Sequence, residues 1–338
     1  MDSSWLDKDK ILKFKKLIEN SKKIAIFIHE NPDWDTIWSA LAIWEVLRKF
    51  WKQINYFSPS KISKKFYFID KIKLFETQFD FWNYDILIFC DIGSVRWQLS
   101  FWKENLGYWY NKIKVIFDHH KSAEDWGDIT FRNYKYSSNC FLIYDFLINI
   151  WWQSYIDSEI SSYLLLWHLT DTNFCKWSSA SWKDMKVAGE LVRLWGDKDI
   201  IVENIFYNSS YEAIKFLEVL LKRTEKKNRL IYSWYDEEEL SDGVDKEDAD
   251  YIMELMRRVK EVDMYLLLKK QGEFIKWSLR TKFDGADLIA RKLFGWGWHS
   301  RAAWFKIEYN PSVPIQKQIE QIVNKILNFK FDNITNGS

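Results

Sequence analysis

Three short apolar runs, each delivering a charged or metal-ligating residue at its end, constrain this chain more than anything else in it. Lys23-Ile24-Ala25-Ile26-Phe27-Ile28 leads into His29. Asp85-Ile86-Leu87-Ile88-Phe89-Cys90 leads into Asp91, and Lys114-Val115-Ile116-Phe117 leads into Asp118-His119-His120. Runs this short and this uniformly apolar read as strands buried on both faces. Ile54 to Phe57 reads as one more. Helix-spaced stretches lie between and after them, at residues 9–20, Ile37 to Phe50, and about 138–150, 158–169 and 183–194. Strands alternating with helices predict an α/β fold built on a mainly parallel sheet with helices on both faces. Ligands bind such sheets beyond the carboxyl ends of the strands. Three distant pieces of chain are therefore expected to converge on one edge.

The C-terminal half reads as a smaller α/β domain. A long helix is expected over 210–227, and the acidic stretch from Asp236 to Asp250 reads as a surface segment between domains. Beyond it come a helix (249–259), strands (262–270 and 273–280), a helix (286–293), a strand (302–309) and a last helix (315–327). The expected division is 1–208, a connecting helix and linker over 209–245, and a second domain over 246–330.

The 338 residues allow two domains, each with its own core. Lys and Arg total 49 against 48 Asp and Glu, which excludes coating long duplex DNA by bulk charge but allows a local phosphate-binding cleft. Three cysteines without a CxxC pair predict a reduced, intracellular protein, with Cys90 a small core residue. The charged N-terminus has no signal-peptide core. The longest apolar run, Phe141 to Trp152, is broken by Asp145 and Asn149 and falls short of the ~20 residues a membrane span needs. A soluble cytoplasmic protein without a membrane partner is expected.

His29-Glu30-Asn31-Pro32-Asp33-Trp34-Asp35 has the layout of a metal site. In an extended loop, residues two apart point to the same side, so Asp33 and Asp35 could reach two adjacent ions. His29 adds a nitrogen, Asp91 could bridge both ions, and His119 could complete the second. Asp171, in Leu169-Thr170-Asp171-Thr172, could approach from the side. Carboxylates and imidazoles without thiolates suit manganese, and magnesium less comfortably. Two such ions lower the pKa of a bridging water and clamp a phosphoryl group. A lone DxD is usually a turn or a cap, and a lone HH pair is equally weak. The joint pattern is far more specific, because His29, His119 and His120, three of only five histidines, fall at strand ends. His168 reads as a core or supporting residue beside Asp171.

A second constellation is C-terminal: Ser278-Leu279-Arg280-Thr281, then Phe294-Gly295-Trp296-Gly297-Trp298-His299-Ser300-Arg301-Ala302-Ala303-Trp304. Arg280 on a strand can hold a phosphate bidentately, although a surface ion pair is the plainer role for an arginine read alone. A loop of small residues before His299 would let backbone N–H groups close on an anion.

Together, H-x-x-x-D-x-D, a strand-end Asp, D-H-H and a later T-D-T resemble the DHH phosphoesterases. The C-terminal run resembles the DHH-associated domain, whose hallmark is G-G-G-G-H-x-x-A-A-G. Order and spacing over about residues 10–330 look most like the branch of bifunctional oligoribonucleases (nanoRNases) and pAp phosphatases. The resemblance implies two manganese ions, with magnesium as second choice. His29 and Asp33 would hold one ion, Asp35, His119 and Asp171 the other, and Asp91 both. His120 would contact the scissile phosphate and Asp118 would orient the histidines. Arg280, His299, Arg301 and Ser278 would grip the nucleotide, with the substrate in a cleft between the domains. Ser137-Ser138 matches the small polar segment that follows the DHH motif. The implied substrates are short single-stranded RNA, cut to mononucleotides, and 3′-phosphoadenosine-5′-phosphate (pAp), dephosphorylated to AMP. Alternatives are a phosphodiesterase for the linear dinucleotides of cyclic-dinucleotide turnover, a RecJ-like exonuclease, or an inactive nucleotide-binding homologue. A homodimer is compatible with all of these.

Tryptophan is the anomaly. The chain has 21 Trp and only 11 Gly, where average glycine usage of ~7% would give about 24. Trp34, Trp38, Trp167, Trp296, Trp298 and Trp304 stand where the family has glycine. Trp51, Trp151, Trp152 and Trp195 fall where a glycine would end a helix. Trp126 and Trp177 look like ordinary aromatics. Tryptophan disfavours φ > 0 and would crowd the ligand loops. The reading that accounts for all of this is a gene in which UGA encodes glycine, translated as if it encoded tryptophan.

Overall fold

The computed structural model describes residues 5–63, 66–80, 83–99, 111–120, 125–172, 180–241, 244, 246–295 and 301–330. The chain divides into two compact units, Met1–Tyr207 and Asn208–Ser338.

The first unit is built on five parallel strands: β1 (Lys23–Phe27), β2 (Gln53–Phe57), β3 (Ile86–Cys90), β4 (Ile113–Asp118) and β5 (Ile129–Arg132), in the spatial order β2-β1-β3-β4-β5. Its longer helices are α1 (Lys8–Asn20), α2 (Trp34–Arg48), α3 (Asn139–Asn149), α4 (Ser158–Asp171) and α5 (Trp182–Arg193). Alternate residues of each strand serve opposite cores, so the strands are apolar throughout. Ile24, Ile26, Ile86 and Ile88 pack with residues of all five helices, among them Phe14, Ile37, Leu142, Leu164 and Leu191. Ala25, Phe27, Leu87, Phe89 and Ile116 pack on the other face with Val95 of the one-turn helix Val95–Gln98 and with Leu99. The order reverses between β1 and β3, because β2 lies to one side of β1 and every later strand to the other. That switch point opens a crevice at the carboxyl ends of β1 and β3.

Helix starts follow side-chain chemistry. Asp7 caps α1 by accepting from the backbone N–H of Asp9, and Ser138 caps α3 through Phe141. β5 had no expected counterpart, since four residues are too few to show a period. Among the described residues no helix is long and apolar enough to cross a membrane.

The second unit holds a mixed sheet in the order β10-β9-β8-β7-β6, with β6 (Glu225–Lys227), β7 (Leu230–Asp236), β8 (Met264–Gln271), β9 (Phe274–Thr281) and β10 (Ala302–Glu308). Only β7 and β8 run parallel. Helices α8 (Ala286–Phe294) and α9 (Ile315–Leu327) cover one face from β7 to β10. Helices α6 (Tyr211–Lys222) and α7 (Lys246–Arg257) cover the other face over β7 and β8. The stretch 209–245 is therefore not a connecting helix and linker. The helix expected over 210–227 stops at Lys222, and β6 and β7 join the sheet. Ile231 and Tyr235 are buried against α6 and α7, which outweighs the acidic composition that follows.

Two helix ends carry tryptophan in the left-handed conformation. After α3, Trp151 has φ 65°, its N–H reaches Ile148 O and the Trp152 N–H reaches Leu147 O. After α5, Trp195 has φ 65°, with its N–H on Val192 O and the Gly196 N–H on Leu191 O. This paired bonding is the Schellman ending, whose left-handed position is usually glycine. Trp51, beyond α2, has φ 58°. The three indoles are 96% (Trp51), 80% (Trp151) and 83% (Trp195) exposed, so packing returns little for the strain. Trp152 does not share this conformation: its φ is −101° and it is buried beside Phe14 and Phe50. A left-handed L-residue costs roughly 1–2 kcal/mol. Trp151→Gly and Trp195→Gly should therefore each stabilise the protein by about 1 kcal/mol in urea unfolding; an unchanged or lower midpoint would contradict the strain.

Candidate metal centre

The crevice at the carboxyl ends of β1, β3 and β4 gathers His29, Asp33, Asp35, Asp91, Asp118, His119 and His120. His29 leaves β1 with its backbone N–H on Thr36 Oγ1 (3.4 Å), and that hydroxyl donates to Cys90 O (2.8 Å), tying the end of β1 to the end of β3. Asp33 is the N-cap of α2 and accepts from the backbone N–H groups of Asp35 (3.0 Å) and Thr36 (3.2 Å). Asp33 and Asp35 thus sit at a helix start and not in an extended loop. Trp34 is the first helical residue of α2, packed on Phe66, and is absent from the residues with positive φ. Any objection to tryptophan there is one of bulk, not of backbone conformation. Trp38 is also helical and fully buried, but its indole N–H has no hydrogen-bond partner.

Asp35 is buried and held on both oxygens. Oδ2 accepts from Asn139 N (2.7 Å), and Oδ1 accepts from Cys140 N (3.0 Å) and Ser39 Oγ (3.3 Å). The first amides of α3 thus point at a carboxylate, as the positive end of a helix favours. Asp91 is 2% exposed, with a left-handed backbone (φ 59°) fixed by its N–H on Phe117 O (2.8 Å). Its Oδ1 is buried and accepts no hydrogen bond. Around it stand His120 Nδ1 (3.4 Å), His119 Nε2 (3.6 Å) and, toward Oδ2, His29 Nε2 (3.9 Å). His29 Nε2 is also 3.6 Å from Asp33, and His119 Nε2 3.5 Å from Asp35.

Two ligand sets emerge, His29–Asp33–Asp91 and Asp91–His119–His120, with Asp91 in both. His29 Nδ1 faces Glu30 O (2.9 Å) and His119 Nδ1 faces Tyr136 O (3.3 Å). A carbonyl can only accept, so each Nδ1 carries the proton and each Nε2 turns a lone pair toward the carboxylates. An unbonded buried carboxylate oxygen beside such lone pairs fits divalent cations. His120 differs. Its Nδ1 is 2.8 Å from Asp118 Oδ1, and Asp118 Oδ2 accepts from Arg132 Nε (2.9 Å) across the β4–β5 register. Asp118 is acceptor on both sides, so His120 Nδ1 donates and Nε2 is the end left for a ligand.

Charge follows the same map. Burial raises the Asp91 carboxyl to about 7, against the pull of His120 and His29. Burial disfavours the charged form of His120, but Asp91 and Asp118 outweigh it and raise the imidazole to about 9. For Asp33, burial is outweighed by His29 and the value falls to about 2. Asp118 is likewise lowered, burial being outweighed by His120 and Arg132.

Asp171 is the last residue of α4, but its side chain lies outside the described residues, as does His299. His168 is fully buried, with Nε2 2.8 Å from Asp184 O, in the core of the unit. Ser138 caps α3, while Ser137 donates to Asp184 at the start of α5. In the second unit Arg280 and Ser278 lie on β9, and Arg301 pairs with Asp284 (2.9 Å). Thr36, Ser39, Asn139 and Arg132 escaped the sequence reading. Only the tertiary fold places them, although a charged Arg132 at the end of a four-residue apolar strand was a faint signal.

The metal-free protein should lose stability with rising pH. Asp91 and His120, with His29 raised as well, bind protons more tightly when folded, so the contribution of the first two is whole below the unfolded values of 3.8 (Asp91) and 6.5 (His120) and is lost through about 7 and about 9. Melting temperatures from pH 5 to pH 9 should therefore decline. Asp91→Asn should remove the part of the decline that lies below about pH 7; an identical pH profile in that variant would refute the assignment.

A model of the DHH family, N-terminal domain, matches residues 23–166. An uncharacterized protein of Mycoplasma genitalium is 22% identical over 314 residues, spanning 90% of this chain and 92% of its own. The crystal structure of an exopolyphosphatase-related protein from Bacteroides fragilis superposes with a TM-score of 0.86 at 20% identity, covering 96% of this chain and 97% of that one. RecJ from Thermus thermophilus in complex with Mn2+ gives 0.56 at 12% identity, and 96% of this chain spans 55% of it. The sheet that carries the centre thus lies within the stretch, residues 23–166, that matches the N-terminal domain of the DHH family.

Proposed function

We propose that this protein is a manganese-dependent phosphoesterase that degrades short single-stranded RNA to mononucleotides and removes the 3′-phosphate of pAp. The observation that carries the reading is Asp91, a buried carboxylate with an unbonded oxygen, shared between two ligand sets at the switch point of the sheet. His29 and Asp33 would hold one cation and Asp35, His119 and Asp171 the other, with Asp91 bridging. When bound, the pair would supply an activated water and stabilise charge on the phosphoryl oxygens. Asp118, locked by Arg132, fixes the ring of His120 so that Nε2 can donate to a phosphate oxygen. Arg280, Ser278, His299 and Arg301 would grip the nucleotide; to do so, Arg301 must leave Asp284.

Cleavage of linear dinucleotides or RecJ-like digestion of longer strands would use the same centre. A net charge of +1 favours the short substrate. A cytoplasmic setting suits both nucleotide substrates and the buried free thiols of Cys90 and Cys140. Asp91→Ala should lower Mn2+-dependent hydrolysis of pAp and of a short RNA by at least about 100-fold and weaken Mn2+ binding by calorimetry. Parent-level activity in that variant would refute the centre, and a parent that hydrolyses neither substrate would refute the substrate class.

An inactive homologue becomes the better reading if the tryptophans belong to the native protein, since Trp34 lies between two ligand carboxylates. We propose that they do not, and that UGA encodes glycine in this gene. Left-handed Trp51, Trp151 and Trp195, and the unpartnered indole of buried Trp38, support that proposal. Sequencing the gene should find UGA at codons 51, 151 and 195; UGG there would rule recoding out.

A further inference from the structure

Asp184, in the first turn of α5, does more than a helix start requires. It forms a capping box with Ser181: its Oδ2 accepts from the Ser181 backbone N–H (2.6 Å) and from the Ser181 hydroxyl (2.7 Å). Such a box needs only one carboxylate oxygen. Here the residue is 2% exposed, and the other oxygen accepts from the hydroxyl of Ser137, 47 residues earlier. Ser137 lies inside a short segment that serves the metal centre at both ends. Tyr136 O, just before it, faces Nδ1 of His119 (3.3 Å). The backbone N–H groups of Asn139 (2.7 Å) and Cys140 (3.0 Å), just after it, hold Asp35. The backbone of Asp184 reaches a further ligand. Its carbonyl accepts from His168 Nε2 (2.8 Å), and Thr172 Oγ1 donates to His168 O (2.8 Å), closing the turn of α4 that contains Asp171. His168 is a costly occupant of a core. It is fully buried, and with Nε2 donating, its Nδ1 is an acceptor without a partner. An apolar side chain would avoid that penalty but would make no bond to Asp184.

We propose that Asp184 is a positioning residue for one of the two cations, the one assigned above to Asp35, His119 and Asp171, and that Ser137 and His168 carry its hold to those ligands. This rests on the two-cation reading above. All three ligands trace back to Asp184 through one or two hydrogen bonds and a neighbouring stretch of backbone. The ligands of the other cation are fixed separately, His29 by Glu30 O and Thr36, and Asp33 by the first amides of α2. Cutting the hub therefore loosens one site and leaves the other as it is. A residue that only capped α5 would change stability without distinguishing the two.

The test is equilibrium dialysis of the full chain against a series of free Mn2+ concentrations, with bound metal counted per chain. The parent should take two ions. Ser137→Ala cuts the link to 136–140 and keeps the capping box; it should weaken one ion about tenfold and the other by less than about twofold, the scale of a lost partner behind a metal ligand. His168→Leu, which removes the tie to the end of α4, should likewise weaken one ion. Ser137→Thr, which keeps the hydroxyl, should bind both ions as the parent does. Ser181→Ala removes the cap hydroxyl and leaves Ser137 on Asp184, so it should lower the urea midpoint while both ions bind as in the parent. Parent affinity for both ions in Ser137→Ala or His168→Leu, or equal weakening of both ions, would overturn the hub and leave the two-cation centre standing. A parent that takes fewer than two ions would overturn the centre and the hub together. Because no turnover is read, a chain that binds as expected but hydrolyses neither RNA nor pAp would remove the substrate reading alone.

Discussion

Asp91 is a carboxylate in a costly place. It is out of water, its backbone is left-handed, and one of its oxygens accepts no hydrogen bond. Nothing in the packing of β3 requires an acid there. What surrounds it explains the cost: three imidazole nitrogens and the carboxylates of Asp33 and Asp35, drawn from the ends of two other strands and the start of a helix. Without cations, burial keeps the proton on Asp91 up to about pH 7. Cations would replace that proton and supply the missing partner. The rest of the unit reads as support for this exchange. The Thr36 bridge between β1 and β3, the helix amides on Asp35, the carbonyls behind His29 and His119, and the Arg132–Asp118–His120 chain each fix one group before anything binds.

The tryptophans divide by environment. Trp152 is buried among aromatics as a tryptophan should be. Trp151 and Trp195 complete helix endings whose hydrogen bonds need φ > 0, and their indoles lie in solvent. The chain therefore retains the geometry of a glycine where it has a tryptophan. Such a mismatch between local preference and adopted conformation is uncommon in natural sequences, which tend to agree across levels.

Much of the first unit was legible because its signals are local. A strand buried on both faces is apolar at every residue, and a ligand just past its end stands out. Helix boundaries were readable to within a few residues for the same reason. The failures were also physical. β5 is too short to show a period, and β7 precedes an acidic run that masked it as a linker. Asp33 and Asp35 were read as an extended loop, because capping by Asp33 depends on where α2 begins and the helical spacing only became clear at Ile37.

The sequence by itself determined the candidate ligand types, their attachment to strand ends and the α/β class, since each depends on residues adjacent in the chain. Only the tertiary structure decided that β1 and β3 are neighbours, that Asp91 is shared by two ligand sets, and that β5 brings Arg132 to Asp118. These depend on strand order, register and packing across long stretches of chain, and no local pattern encodes them.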